Sequence, residues 1–172
     1  IPEEKKQHYS EKIVYMPHSY QVNVSKRSVS ETSLLRNELG LPNTGFVFCC
    51  FNNNYKITPS TFAGWMRILK AVKNSVLWLF ESNEGASKNL IKEAKKFGIN
   101  GDRLVFATYT TVEEHLNRIK LADLFIDTLP CNAHTTTSDA LRMGLPVLTC
   151  IGSSFASRIA ASLLNAVNLP EM

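Results

Sequence analysis

The fold of this chain is decided by the stretch FVFCCFNNNYK at residues 46–56, in which six apolar residues give way at once to three asparagines. A short, uninterrupted apolar run between turn-forming residues is typical of a strand that is buried on both faces. Comparable runs follow at residues 75–80, 103–107, 122–127 and 146–150. Between and after them, apolar residues at helical spacing predict helices over 59–72, 87–97, 112–120, 135–143 and 154–166.

Strands and helices that alternate with short connections predict a parallel sheet with helices on both faces. Right-handed crossovers then lead to a doubly wound, Rossmann-like α/β fold. Residues 1–44 show no comparable pattern, apart from a short helix expected over 33–39 and ended by Gly40. We therefore predict one domain over 45–172, with 1–44 as a connector from a preceding domain.

Composition narrows the classes of protein further. The 172 residues carry 19 Lys and Arg against 15 Asp and Glu, a net charge of +4, which is too mild to predict a nucleic-acid partner. No apolar run is long enough to span a membrane and no secretory leader opens the sequence, so a cytoplasmic protein is expected. The four cysteines lack CxxC or zinc-site spacing and are expected to be buried free thiols.

The first residue is Ile1 rather than Met, which suggests a piece of a longer chain.

Ligands of doubly wound sheets bind beyond the carboxyl ends of the strands, so the segments that follow the strands are the ones to search. They contain no GxGxxG, no GxxxxGK[ST] and no HExxH, which argues against a dinucleotide site, a P-loop and a zinc protease. The neutral asparagines at 52–54 also argue against a phospho-receiver domain, which needs acidic residues after its first strand.

The segment DTLPCNAHTTTSD, residues 127–139, is the most informative of these loops. It places His134 and the threonines 135–137 at the start of a predicted helix. Free backbone N–H groups and the helix dipole favour an anion there, and hydroxyl groups add donors, so phosphate or pyrophosphate is the natural ligand. The alternative is that one threonine merely caps the helix.

Two further segments could contribute to such a site. Lys56, after the first strand, could bind a second phosphate and stabilise charge on a departing group, or could be a solvated surface lysine. After the third strand, Thr110 or Thr111 could cap the next helix. His115 on that helix could stack on a nucleotide base or be an ordinary helix residue.

These same segments carry a family resemblance. Residues 51–79 (FNNNYKITPSTFAGWMRILKAVKNSVLWL), 106–149 and 152–164 resemble the carboxyl-terminal catalytic region of O-linked N-acetylglucosamine transferases, a group that includes the plant SPINDLY proteins and bacterial relatives. The likeness covers about residues 13–171 and is most specific over 127–158. It implies the nucleotide-sugar-binding half of a two-domain B-type glycosyltransferase, which transfers N-acetylglucosamine (GlcNAc) from UDP-GlcNAc to Ser or Thr of polypeptides, inverts the anomeric centre and needs no metal or other cofactor.

The resemblance assigns roles to particular residues. Lys56 is expected to be catalytic, by contacting the diphosphate and stabilising the UDP leaving group. His134, Thr135 and Thr136 are expected to hold the diphosphate, and Asp139 the ribose hydroxyl groups.

The remaining expected contacts concern the base and the acceptor side. Thr110, through its backbone, and Arg118 would bound the uracil, on which His115 would stack. Asn53 stands where animal relatives carry Gln and is expected near the diphosphate or the acceptor. Thr137 replaces a Gly of animal relatives, and Val112 replaces a Lys that contacts ribose.

The expected partners are a UDP-sugar, a polypeptide acceptor, and an amino-terminal catalytic half and tetratricopeptide repeats of the same protein. No general base is identified in this chain, so it is expected to be inactive alone. One alternative is a non-catalytic module that binds a nucleotide or a partner. Another is half of a sugar-nucleotide epimerase, although only Asp127 and Asp139 offer carboxylates near the strand ends.

Overall fold

The computed structural model describes residues 1–24, 26–30 and 32–172. Its centre is an all-parallel, five-stranded sheet in the order β3-β2-β1-β4-β5, which confirms the predicted fold class. The strands are β1 (Val47–Cys50), β2 (Val76–Phe80), β3 (Leu104–Ala107), β4 (Leu124–Ile126) and β5 (Val147–Leu148).

The helices are α1 (Pro59–Ala71), α2 (Glu84–Lys96), α3 (Val112–Arg118), α4 (Thr135–Arg142) and α5 (Ile159–Ala166). All five predicted helices are present. The last begins at Ile159 instead of residue 154, because Ser154 caps a separate 3-10 turn, Phe155–Ser157. The short helix expected over 33–39 is likewise only a 3-10 turn, Arg36–Leu39.

Strand β1 occupies the middle of the sheet and is buried on both faces, with all four residues at most 6% exposed. This burial explains the apolar run that identified it. Of the four cysteines, Cys49 and Cys50 are buried free thiols as predicted, and burial raises the pKa of both. The prediction is wrong for Cys150, which is an exposed free thiol, while Cys131 is half-buried.

The order of the strands fixes where a ligand can bind. From β1 the chain moves outward through β2 to β3, then crosses back to β4 and continues in the opposite direction to β5. The loops after β1 and β4 therefore diverge and leave a crevice at the carboxyl ends of these neighbouring strands. Such a switch point is the usual ligand site of an open parallel sheet.

Residues before β1 pack on this body. Arg36 makes a two-pronged ion pair with Asp123, 2.9 Å to each carboxylate oxygen, and donates to the backbone carbonyl of Leu121. The predicted division at residue 44 stays a prediction. In the part of the chain that the structure describes, no helix has the length and apolar character needed to cross a bilayer.

Candidate functional site

The crevice between β1 and β4 brings Lys56 to the loop that follows β4. The lysine lies at the end of a 3-10 turn, Asn54–Lys56, and its Nζ donates a 2.8 Å hydrogen bond to the backbone carbonyl of Asn132. The alternative of a freely solvated surface lysine is thereby ruled out. The acceptor residue lies three positions before Thr135, the first residue of α4, so the ammonium group is held near the start of this helix. The other two protons of the ammonium group are available for an anion.

The first turn of α4 has the features expected of an anion site. The residue that caps it is His134, whose side chain makes no capping hydrogen bond, so the capping alternative for the threonines is wrong. The Thr137 hydroxyl is fully buried and donates to the carbonyl of Ala133, 3.3 Å away. The Thr136 hydroxyl donates to Oδ1 of Asn52 at 2.6 Å, while Thr135 is exposed. The backbone N–H groups at the start of this helix therefore remain available to an anion.

Three of the predicted site residues also contact the amino-terminal segment of the chain. The Tyr20 hydroxyl lies 3.2 Å from Nδ1 of His134, and Gln21 donates to the Thr135 hydroxyl at 3.3 Å. Arg27 forms an ion pair of 2.9 Å with Oδ1 of Asp139. The segment thus crosses the same edge of the sheet as the candidate site.

The charge state of two of these groups depends on their surroundings. Burial and the nearby Lys56 ammonium lower the pKa of His134, so its imidazole is neutral at pH 7. Burial raises the pKa of Asp139, and the positive charges of Arg27 and Arg142 oppose that rise.

A second group of predicted residues lies on α3, whose start is fixed by a capping box between Thr111 and Glu114. The ring of His115 meets Phe51 edge-on, with ring centres 5.0 Å apart. The buried guanidinium of Arg118 stands 5.5 Å from the same phenyl ring and donates to the carbonyl of Thr108 at 2.8 Å. Because Phe51 directly follows β1, it connects this group to the crevice.

The α3 group combines an uncharged imidazole ring with a buried guanidinium group. Burial and the neighbouring Arg118 lower the pKa of His115 to about 4, so the imidazole is uncharged at neutral pH. A cavity of about 290 Å³ opens beside Arg118 and is also lined by Thr108, Tyr109 and Thr110 from the loop after β3, and by Leu34 and Leu39 from the segment before β1. The Thr110 hydroxyl donates to the carboxylate of Glu114, which leaves its backbone as the group that can face a ligand.

The last predicted contact residues are exposed. Asn53 precedes the turn that carries Lys56, and its carbonyl accepts from the Lys56 N–H at 3.0 Å. Val112 is exposed at the start of α3. The structure therefore gathers the predicted residues at one edge of the sheet, and their roles toward a ligand stay predictions.

Sequence reasoning assigned no role in the site to the buried polar residues beneath this edge, although it named Asp127 as a carboxylate near a strand end. Asn52 and Asp127, at the carboxyl ends of β1 and β4, are 3% and 8% exposed, and Thr128 and Asn132 are fully buried. The available signal was their position, since polar residues that directly follow buried strands face the ligand crevice. Among the described residues, no three His, Cys, Asp or Glu side chains are grouped so that they could hold a metal ion.

Comparison with known proteins places this geometry in a family. The family model described as glycosyl transferase family 41 matches residues 23–172. A curated Arabidopsis thaliana protein, the probable UDP-N-acetylglucosamine–peptide N-acetylglucosaminyltransferase SEC, is 37% identical over 166 residues, which are 94% of this chain and 17% of the relative. The Caenorhabditis elegans UDP-N-acetylglucosamine–peptide N-acetylglucosaminyltransferase is 41% identical over 137 residues, 80% of this chain and 12% of the relative.

A solved structure supports the same assignment. A mutant of the Thermobaculum terrenum O-GlcNAc transferase superposes with a TM-score of 0.83 at 27% identity, over 99% of this chain and 32% of the solved one. The chain spans less than a fifth of the length of these two curated relatives. The match of the family model over most of the sequence, together with the two curated relatives, means that the chain belongs to glycosyltransferase family 41.

Proposed function

We propose that this chain is the donor-binding part of a protein O-GlcNAc transferase, which binds UDP-GlcNAc and helps to transfer GlcNAc to Ser or Thr hydroxyl groups of polypeptides. The observation that carries the proposal is the 2.8 Å bond from Lys56 to the carbonyl of Asn132, which holds a positive charge close to the start of α4. The two curated relatives are named as UDP-N-acetylglucosamine–peptide N-acetylglucosaminyltransferases, which supports UDP-GlcNAc as donor and a peptide as acceptor.

The diphosphate is proposed to bind between Lys56 and the first turn of α4. The N–H groups of Thr135 and Thr136 point along the helix axis toward an anion, and the helix dipole adds to their attraction. The Thr135 hydroxyl accepts a hydrogen bond from Gln21, so its own proton is available to a phosphate oxygen. His134, whose imidazole is neutral, adds a polar contact to the diphosphate without adding a positive charge.

The nucleoside is proposed to bind along the α3 side of the crevice. The uracil stacks on the uncharged His115 and is bounded by Arg118 and the backbone of Thr110. The ribose hydroxyl groups donate to the carboxylate of Asp139. Because Arg27 already occupies Oδ1 of that carboxylate, the ribose either uses Oδ2 or displaces the arginine.

Transfer then follows from where charge develops. The acceptor hydroxyl oxygen attacks the anomeric carbon of GlcNAc from the face opposite UDP, and the bond from that carbon to the β-phosphate oxygen breaks with inversion. The electron pair stays on the β-phosphate, where the Lys56 ammonium and the α4 N–H groups stabilise it. Loss of one such preorganised donor typically costs about 100- to 1,000-fold in kcat. The acceptor-side groups and the base are proposed to come from the remaining part of the protein, and the chain alone is proposed to be inactive.

Isothermal titration calorimetry with UDP, UDP-GlcNAc, ADP and NAD tests the donor site. We expect UDP and UDP-GlcNAc to bind in preference to ADP and NAD, and Lys56→Ala to weaken UDP at least about tenfold, since it removes a charge-assisted hydrogen bond. Lys92→Ala, which removes an exposed lysine from α2, is the matched control and should leave the affinity unchanged. A folded chain that gives no response to UDP would overturn the proposal.

Turnover is tested in the full-length protein with UDP-GlcNAc and Ser/Thr peptides. Transfer that Lys56→Ala abolishes while the fold persists is the expected result. A full-length protein that binds UDP but transfers no sugar would instead favour a non-catalytic nucleotide-binding module.

A further inference from the structure

We propose that Asn52 and Asp127 are positioning residues that set the geometry of the anion site, and that the Thr136 hydroxyl acts through them, while only the backbone N–H of Thr136 donates to the diphosphate. This inference rests on the proposed function and deepens it. It divides the groups at the start of α4 into those that touch the ligand and those that hold the site in place.

Asp127 ties together four parts of the crevice. Its Oδ1 accepts from Nδ2 of Asn52 at 3.1 Å and from the backbone N–H groups of Thr128 and Ala133, each at 2.7 Å. Its Oδ2 accepts from the hydroxyl of Thr149 at 2.7 Å. One buried carboxylate therefore fixes the end of β4, the loop after β1, the loop that leads into α4 and the segment after β5. An ionised carboxylate can only accept hydrogen bonds, and the four donors around Asp127 use its full accepting capacity.

The orientation of the Asn52 amide follows from its neighbours. The Thr128 hydroxyl donates to the carbonyl of Cys131 at 2.7 Å, so toward Asn52 it can only accept. It accepts from Nδ2 at 2.7 Å, and the Asp127 carboxylate also requires a donor from the same nitrogen. The oxygen Oδ1 of Asn52 must then face Thr136, which lies 2.6 Å away.

This arrangement uses the only proton of the Thr136 hydroxyl. A hydroxyl group has one donor, and here it is directed at a buried amide oxygen, so none remains for a phosphate oxygen. The anion is left to the backbone N–H groups, the exposed Thr135 hydroxyl and Lys56. Thr136 instead anchors the first turn of α4 to the end of β1.

Lys56 is held by the same network. Its acceptor is the carbonyl of Asn132, whose buried side chain donates to the carbonyl of Thr128 at 3.1 Å. The next residue in that loop, Ala133, is the one whose N–H is fixed by Asp127. The two sides of the anion site, the ammonium group and the helix start, are thus set relative to each other by a single carboxylate and a single amide.

The test compares UDP with uridine, which lacks the diphosphate, by ligand-observed NMR titration of the wild-type chain and of Asn52→Ala, Thr136→Val and the double variant. We expect each single variant to weaken UDP about tenfold, the effect of about one hydrogen bond, and to leave the affinity for uridine unchanged. The double variant should be no weaker than Asn52→Ala, because both substitutions remove the same link. Thr136→Ser, which keeps the hydroxyl, should restore UDP affinity to within about twofold of the wild type.

The possible outcomes distinguish a failure of this inference from a failure of the proposed function. If the folded wild type does not respond to UDP, the proposed function fails. The folded chain could instead bind UDP, with Lys56→Ala weakening it, while Thr136→Val causes the same loss in the Asn52→Ala background as in the wild type. The Thr136 hydroxyl would then contact the phosphate directly, and the positioning role would be wrong. Equal losses for UDP and uridine would also contradict it, since they would indicate general disorder. Asn52→Ser, which keeps a polar group at the buried position, replaces Asn52→Ala in the same cycle if the alanine variant does not fold.

Discussion

Protonation of His115 should destabilise the folded chain, because the same burial that keeps this imidazole neutral makes its charged form unfavourable. The pKa of His115 in the folded protein is about 4, against an ordinary value of 6.5. Between these values the unfolded chain binds a proton that the folded chain does not bind. The free energy of unfolding therefore falls as the pH is lowered from about 6.5 to 4, and it is fully retained above pH 6.5.

The size of the effect follows from the two pKa values. Each unit between them corresponds to about 1.4 kcal/mol, so the contribution lost from this one residue is about 2 kcal/mol at pH 5 and approaches about 3 kcal/mol at pH 4. These figures are upper bounds, because a half-buried group is partly screened by solvent.

Urea unfolding followed by the fluorescence of the two buried tryptophans, Trp65 and Trp78, measures this loss. Between pH 7 and pH 5, we expect the free energy of unfolding of the wild type to fall by about 2 kcal/mol more than that of His115→Gln, which lacks the titrating imidazole. The other titrating groups are common to both proteins and cancel in the difference. A difference that stays constant over this pH range would refute the reasoning.

Two further predictions concern the scaffold. Gly45→Ala should lower the free energy of unfolding by at least about 2 kcal/mol, because the backbone there has φ +113° and the new Cβ would lie 2.2 Å from the carbonyl oxygen of Asn74; an unchanged thermal midpoint would contradict this. Thr111→Ala should cost about 1 kcal/mol, because it breaks the capping box with Glu114 at the start of α3. Urea titration checks it, and a midpoint within error of the wild type would show that the cap does not contribute.

The fold could be predicted from the sequence because its determining signals are local. The apolar runs that became β1 and β2 are buried over almost their whole length, and such runs separated by helical periods allow few other architectures. The predicted start of the last helix at residue 154 was wrong. Serine is typical of the residue that caps an α-helix, but Ser154 caps a 3-10 turn instead. Turn type depends on the packing around a segment, which local pattern does not describe.

The candidate site could be predicted only in part. Lys56 and the 134–136 cluster were identified because helix starts and strand ends mark the ligand edge of a parallel sheet. The network of Asn52 and Asp127 could not be predicted, because the bonds of Asn52 to Asp127, Thr128 and Thr136 join residues 75 or more positions apart. The contact of Arg27 with Asp139 escaped for the same reason, since the two residues are 112 positions apart.

The central claim is that Lys56 and the start of α4 together bind the diphosphate of a UDP-sugar. A crystal structure of the chain with UDP tests it most directly. The account predicts β-phosphate oxygens at hydrogen-bond distance, about 3 Å, from Nζ of Lys56 and from the backbone N–H groups of Thr135 and Thr136. A UDP molecule whose diphosphate lies away from both Lys56 and the first turn of α4 would contradict it.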